Sequence, residues 1–462
     1  MLTYQDLVEV GEFEAGRMAF ILEAISKHEQ SELYKTAMDA EDYYRHRNPT
    51  IMRYQKFVYN QFGKAVPDIY SANNKIPCRF YNYFVTQEVQ YLLGNGVSFS
   101  NDGTKDKLGK GFDASIQKAA TMALNGSVSF GFWNNDHLEV FGVSKGGTSG
   151  CEPVFIPLYD EENGALRAGI RYWRIDDNKP LRATLYEESG YTEYIKREDE
   201  DMLVLQEKRP YKLTVRTSEI GGTEILSGEN YPTFPIIPLW NTNKQSELIG
   251  GKETIDAYDL MASALVNNVD EGNLIYWVLK NCGGMDDLDD AKFVERLKTT
   301  HVAHADGDDG AQVESHSVEA PYQANEVALD RLKKQMFTDY MALDVSEIAG
   351  GAVTATQIMA AYEPLNSKTD QFEYCVTDFI EKLLALIGIE DTPTYTRSVI
   401  VNQTETIQTI LQAAEYLDED YVTTKILELF GDADKADEII QRRMAEETTR
   451  FANAETETEE EE

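Results

Sequence analysis

Two helix-period segments, separated by about fifty residues, constrain this chain more than anything else in it. Ser246 to Val269 keeps an apolar beat at Ile255, Tyr258, Ala262, Leu265 and Val269. Gln323 to Leu343 keeps another at Val327, Leu329, Leu332, Met336, Tyr340 and Leu343. Apolar residues that return every three or four positions line one side of a helix, and that side must be covered. The interval 270–322 reads as short elements with a polar, acidic loop from His304 to Glu319. After the second segment, Gly350-Gly351 interrupts a helix-friendly stretch. A long helix is then expected from Ala355 to Ile387, bent near Ala360 by the interior Pro364 and ended by Gly388.

The flanking regions have different textures. Residues 3–45 keep a helical beat through Phe13, Arg17, Phe20, Ile21, Ala24 and Ile25, broken at Asn48-Pro49. A second helix is expected between Ala72 and Gly94, with Asn73-Asn74 as cap chemistry and Pro77 in its first turn. A third covers Asp113 to Leu124. From Val128 to Leu205 short β-rich runs alternate with turn residues, and Asn163-Gly164 predicts a hairpin. Tyr231 to Trp240 holds three prolines, which excludes a central strand and predicts an extended connector. Tyr395 to Val401 reads as one more strand, and Thr406–Leu417 and Tyr421–Glu447 as terminal helices. Glu446 to Glu462 holds eight Glu and one Arg and reads as a disordered polyanion. The fold class is α+β.

Composition removes several functions. Lys plus Arg number 43 and Asp plus Glu 80, a formal charge of −37. Duplex readers bind by releasing counterions to Lys and Arg, and this chain lacks the surplus, so a repressor or an anionic-lipid binder is not expected. A hydrophobic share of 42% excludes global disorder, and 462 residues imply roughly two to four structural units. Cys78, Cys151, Cys282 and Cys375 are widely spaced, which predicts reduced thiols in a cytoplasm rather than a disulfide framework or zinc ribbon. The N-terminus lacks a basic region and apolar core, so no signal peptide is expected, and no run of about 18 apolar residues predicts a membrane span.

Catalytic and cofactor patterns are missing. Gly103 to Gly109-Lys110-Gly111 has the wrong spacing for a phosphate loop, and Gly250-Gly251-Lys252-Glu253 fails too. Counted from Asp306, a calcium loop with Asp308 and Asp309 would place Ala311 where glycine is required. His301, His304 and His316 have no nearby thiolates or zinc-protease motif. No nucleophile elbow occurs. No enzyme activity, cofactor or metal is therefore expected.

Six stretches in order then carry a resemblance: DYYRHRNPTI (42–51), NNKIPCRFYNYFVTQEVQYLLGNGVSF (73–99), PTFPIIPLWN (232–241), ETIDAYDLMASALVNNVDE (253–271), NEVALDRLKKQMF (325–337) and GGAVTATQIMAAYEPL (350–365). The chain resembles the portal proteins of tailed bacteriophages, the head-to-tail connectors carried by phages and prophages of Gram-positive hosts, over roughly residues 40–445. The resemblance implies a ring of about twelve copies at one capsid vertex, through whose channel double-stranded DNA is packaged and ejected. It implies a virion protein made in the host cytoplasm, with no membrane. Its partners would be the terminase large subunit, the head-tail adaptor, the scaffold and the major capsid protein.

The family's regions map onto this sequence as a wing, 1–244 (helical over 1–124, β-rich over 125–230, with a connector at 231–244), and a first stem helix, 245–269. A clip would follow at 270–322, a second stem helix at 323–343 and a tunnel loop at 344–357. The long kinked helix and a return strand to the wing would fill 355–402, a crown 403–447 and the acidic tail 448–462. The stem hairpin's apolar faces exceed what one subunit covers, which favours assembly. Ser346, Ile348, Gly350, Gly351, Val353 and Thr354 would form the DNA-facing tunnel loop, and Arg331, Lys333 and Lys334 would line the channel or else pair with Asp330 and its neighbours. Two alternatives stand beside this: an acidic cytoplasmic hydrolase using an Asp/Glu pair, and another virion component such as a minor head protein or adaptor.

Overall fold

A computed structural model describes residues 2–59, 62–69, 71–146, 152–176, 178–198, 200–217, 223–272, 276–280, 312–316, 322–346, 354–398, 403–430, 435–436 and 438–445. They form two units. The larger holds Met1–Ala342 and Pro364–Arg397; the smaller holds Leu343–Glu363 and Ser398–Glu462. The chain is a mixed α+β protein. Among the described residues no helix is long and apolar enough to cross a membrane.

The larger unit opens with α1 (Tyr4–Val10), α2 (Glu14–Glu29), α3 (Glu32–Tyr44) and the short α4 (Pro49–Arg53). Thr3 and Asp6 exchange hydrogen bonds in a capping box that starts α1, and the Ser31 hydroxyl accepts from Tyr34 N to start α3. A ribbon follows, β1 (Phe57–Tyr59) against β2 (Ala65–Pro67). Next come α5 (Phe80–Leu93), β3 (Val97–Phe99), α6 (Asp102–Leu108), α7 (Phe112–Gly126), β4 (Val128–Asn134) and β5 (His137–Phe141). β6 (Val154–Tyr159), β7 (Leu166–Trp173), β8 (Leu181–Glu187), β9 (Gly190–Lys196) and β10 (Leu203–Arg209) form a five-stranded antiparallel meander in sequence order. The Asn163-Gly164 turn joins its first two strands, with Gly164 at φ +67°, a conformation glycine adopts without strain.

Two ribbon strands that the sequence pattern did not signal, β11 (Lys212–Thr217) and β12 (Thr223–Glu229), pair with each other. The proline-rich stretch is a strand, not a bare connector. β13 (Ile236–Trp240) takes the edge of a three-stranded sheet beside β4, opposite β5, so Pro238, the one proline within it, avoids a central strand.

α8 (Lys252–Gly272) begins six residues later than the helix-period reading from Ser246, because Gly250 sits at φ +90° and residues 246–251 form turns. β14 (Tyr276–Lys280) pairs antiparallel with β15 (Gln312–His316), and α9 (Tyr322–Asp339) returns against α8. α9 stops four residues short of Leu343. The long helix, α10 (Ala355–Ile387), runs through Pro364 and ends where Gly388 takes φ +75°. β16 (Pro393–Tyr395) pairs with β3.

Two apolar cores hold the larger unit. One joins α3, α5, α7 and the β4 sheet to the C-terminal half of α10 through Phe372, Val376, Phe379, Ile380, Leu383 and Leu384. The other packs Leu7, Phe20, Ile21 and Ala24 of the first two helices onto Ile156, Leu158, Ile170 and Leu185 of the meander. A buried Arg17 guanidinium fastens this second layer, donating to both carboxylate oxygens of Glu187 at 3.1 Å. In the smaller unit, α11 (Gln403–Ala413) packs with α12 (Glu419–Phe430), and Arg443 donates to the Asp420 carboxylate at 2.5 Å.

Candidate functional site

The antiparallel pair α8 and α9 is the most distinctive construction in the larger unit. Helices of 21 and 18 residues are about 31 and 27 Å long at 1.5 Å per residue. Between α8 and α9 in the sequence, β14 pairs with β15.

At its base the pair is set in aromatic packing. Phe84 stacks on Tyr340 with ring centroids 4.4 Å apart and meets Phe337 edge-on at 5.2 Å. Phe80 meets Tyr258 edge-on at 5.1 Å. Gly251 lies so close to Tyr340 that a Cβ there would fall 2.3 Å from the phenol oxygen, so the turn into α8 needs glycine for close approach. Val269 and Val327, assigned to apolar faces by spacing, are 54% and 69% exposed, because the pair buries only the inner and basal stretches of its stripes.

A second face of α8 is a polar stripe that reads the backbone of another segment. Residues 72–79 form no regular element, in place of the helical start that Asn73-Asn74 and Pro77 suggested; α5 begins at Phe80. Asn74 N donates to Asn267 Oδ1 at 2.7 Å, Ile76 N to Ser263 Oγ at 3.0 Å, and Cys78 N to Asp259 Oδ1 at 2.8 Å. Two residues of extended chain advance about 6.6 Å and four residues of helix about 6 Å, so alternate amides meet successive helix turns. Asn74 Nδ2 also donates to Asp270, and Asn48 Nδ2 donates to the other oxygen of buried Asp259. Burial pushes the Asp259 carboxyl upward against these hydrogen bonds. Asp256 accepts from Thr50 Oγ1 at 2.9 Å and from the Tyr43 hydroxyl. The legible signal was the spacing of Asp256, Asp259, Ser263, Asn267 and Asp270, small acceptors on one helix face.

The third feature is a buried ion triad. Lys368 of α10 lies 2.7 Å from Glu88 of α5 and 2.8 Å from Glu247 in the turn before α8. The two carboxylates hold the Lys368 ammonium charged against its own burial, and its pKa rises. Burial outweighs the lysine for Glu88, whose carboxyl is pushed upward. A charge inside this junction ties α5, α8 and α10 into one footing, and its desolvation makes it a device of geometry more than of stability.

The sequence-predicted residues fall in three groups. Arg331 and Lys334 are exposed on α9, and among the described residues neither is ion-paired. Lys333 is half-buried with Nζ 5.6 Å above the Phe337 ring. Ser346 and Thr354 lie in the smaller unit and have local duties. Ser346 donates from its backbone N to Asp344 Oδ1 at 3.0 Å. Thr354 caps α10, its hydroxyl accepting from Gln357 N at 3.4 Å while the Gln357 side chain accepts from Thr354 N at 3.1 Å. Ile348, Gly350, Gly351 and Val353 lie outside the described residues, as do His301, His304, Asp306, Asp308, Asp309, Cys151, Cys282 and the acidic tail. Among the described residues no cluster of His, Cys, Asp or Glu could hold a metal ion.

Residues 23–450 match the family described as phage portal protein, SPP1 Gp6-like. The portal protein of Clostridium phage phiCD119 is 25% identical over 394 residues, covering 80% of this chain and 84% of that one. The portal protein of Bacillus phage SPP1 is 24% identical over 389 residues, covering 78% and 74%.

Proposed function

The chain belongs to the SPP1 Gp6-like family of phage portal proteins, and from that premise we propose that it closes into a ring of about twelve copies at one vertex of a tailed-phage capsid. Its role is structural and not enzymatic: a portal through which double-stranded DNA passes. The observation that carries the finer reading is the antiparallel helix pair with a pair of strands between its two helices in the sequence. In a ring, α8 and α9 are the stem, residues 270–322 the clip, and 344–357 the tunnel loop. Residues 1–244 form the wing, 355–402 the long kinked helix with its return strand to the wing, and 403–447 the crown. The terminase large subunit and the head-tail adaptor dock in turn on the assembled ring, and scaffold and major capsid protein surround it.

The charge suits a conduit. At −37 per chain the wall offers a sliding duplex few phosphate partners, and salt confines the repulsion to about 8 Å, so only bore-side charges are felt. The exposed Arg331 and Lys334 side chains, without ion pairs among the described residues, support a bore-facing position for that side of α9. Sedimentation and negative-stain microscopy of the purified chain test the reading. Rings with a central hole are expected; a 52.2-kDa monomer under every salt condition overturns it. The tunnel loop is tested separately. Gly350-Gly351→Ala-Ala and Val353→Arg should leave rings intact and lower packaged DNA, and normal packaging by both would leave that segment a plain interhelical turn.

A further inference from the structure

Beside the ion triad lies a cavity of about 430 Å³, lined by residues of the larger unit that include Glu247, Gly251, Asp339, Tyr340 and Lys368. Its wall holds a group that the fold leaves unsatisfied. Tyr340 is 5% exposed, yet its hydroxyl has no hydrogen-bond partner. Gly251 beside it has no side chain to fill the space next to that oxygen. An unpaired buried hydroxyl is costly, so one set on a cavity wall marks a place for a group that comes in from outside.

The neighbouring carboxylates differ in what they have left to offer. Glu247 is fully engaged: its Oε1 accepts from Asn241 Nδ2 at 2.9 Å and its Oε2 pairs with Lys368 at 2.8 Å. Asp339 is not. Its Oδ1 accepts from Gln335 Nε2 at 2.6 Å, and its Oδ2 has no hydrogen bond among the described residues. Tyr340 Oη and Asp339 Oδ2 are therefore two open acceptors, both on lining residues where α9 ends. Ile249 and Met341, both exposed, add apolar lining.

Charge selects the ligand. Among the described lining residues, Glu88, Glu247 and Asp339 meet a single ammonium, that of Lys368. Even with Glu88 protonated, two carboxylates outweigh it, so an anion is disfavoured. A metal ion does not fit either. Lys368 already holds the position between Glu88 and Glu247, and among the described residues no cluster of His, Cys, Asp or Glu could hold one. What fits is a cation that brings its own N–H donors. We propose that this cavity takes an alkylammonium or guanidinium group, donating to Tyr340 Oη and Asp339 Oδ2 with its methylenes along Ile249 and Met341. A small amine in solution carries such a group, and so does a lysine or arginine side chain of a second copy; the second source rests on the ring reading above.

Titration calorimetry of the full chain with butylammonium chloride, at fixed ionic strength, should show saturable binding. Tyr340→Phe and Asp339→Asn should each weaken it about tenfold or more, the worth of one hydrogen bond to a charged group. Tyr340→Phe keeps the ring on Phe84 and removes only an unpaired oxygen, so its melting temperature should not fall below that of the wild type. Asp339 is exposed, so its variant folds too. Tetramethylammonium chloride, a cation without N–H groups, should not bind. If the chain takes no butylammonium while both variants raise the concentration for half-assembly about tenfold, the bound group belongs to a second copy. Equal affinity for tetramethylammonium, or binding that neither variant weakens, overturns the inference. So does the absence of both binding and an assembly defect, which leaves the hydroxyl to water. A wild-type chain that never assembles overturns the ring reading and leaves the titration to decide the site.

Discussion

His28 shows how one buried side chain sets a pH response. It is 1% exposed, and its Nε2 lies 2.7 Å from the Val143 carbonyl, so the neutral ring donates there while Nδ1 is buried without a partner. Charging Nδ1 would place an uncompensated cation in the core, so desolvation lowers the His28 pKa below 6.5 despite the Val143 bond and the charge of Glu29. The unfolded chain then binds the proton at a pH where the folded chain does not. Stability therefore rises with pH between the depressed folded value and 6.5, and falls as the medium is acidified through that window, by at most about 1.4 kcal/mol per pH unit. Between about pH 7.5 and 5.5 the urea midpoint of the wild type should fall relative to that of His28→Gln, which keeps a donor toward Val143 and cannot charge; the raised Glu88 carboxyl, which works in the opposite direction, is common to both proteins and cancels in the comparison. Equal slopes for the two proteins would assign the pH dependence elsewhere.

At the scale of elements, the docking of residues 72–79 on α8 is a hydrogen-bond ladder, and it makes two predictions. Hydrogen exchange should show Asn74, Ile76 and Cys78 protected and Lys75 fast, and Ser263→Ala should release the Ile76 amide at a cost of about 1–3 kcal/mol. Uniform protection along the segment would mean that burial, not the ladder, holds it. The ion triad adds a further one. Lys368→Met leaves Glu88 and Glu247 facing each other without a cation and should cost about 3–5 kcal/mol, whereas Glu88→Gln should cost less because its carboxyl is already pushed toward the neutral form. Equal melting temperatures for the two variants would contradict that asymmetry.

The same elements show what was legible in the sequence. Ala355–Ile387 was readable to the residue because a strong apolar period runs between a capping Thr354 and a stopping Gly388. The strands of the meander, though not their order, were readable because turn residues punctuate β-branched and aromatic runs. The start of α5 was misplaced because Asn74 and Pro77 are good cap residues locally. The chain there is held out of the helix by side chains nearly 200 positions away, and no local pattern carries that information. The triad was illegible for the same reason: among 80 acidic residues, nothing marks Glu88 and Glu247 until α5, α8 and α10 meet.

For the whole molecule, the proposed ring raises the question of how so negative a wall would let a polyanion pass without either repelling it from the entrance or holding it. Two exposed cations per chain, one helical turn apart on α9, answer it if they face the bore. They give a duplex weak, repeated phosphate contacts that are quickly exchanged, while neighbouring carboxylates prevent any strong one. Reversing both, Arg331→Glu with Lys334→Glu, leaves the buried Met336 and Tyr340 side of the helix untouched, so rings should form normally by microscopy. DNA packaged per ring should fall, and fall most at low salt. Raising ionic strength shortens the reach of the added repulsion from about 30 Å at 0.01 M to about 8 Å at 0.15 M, so the defect should shrink as salt increases across that range. Substitution to Ala removes the contacts without adding repulsion and should give a smaller loss with a weaker salt dependence. That ordering separates a bore-facing pair from one on the outer side of the stem, where both variants would package as the wild type does at every salt concentration.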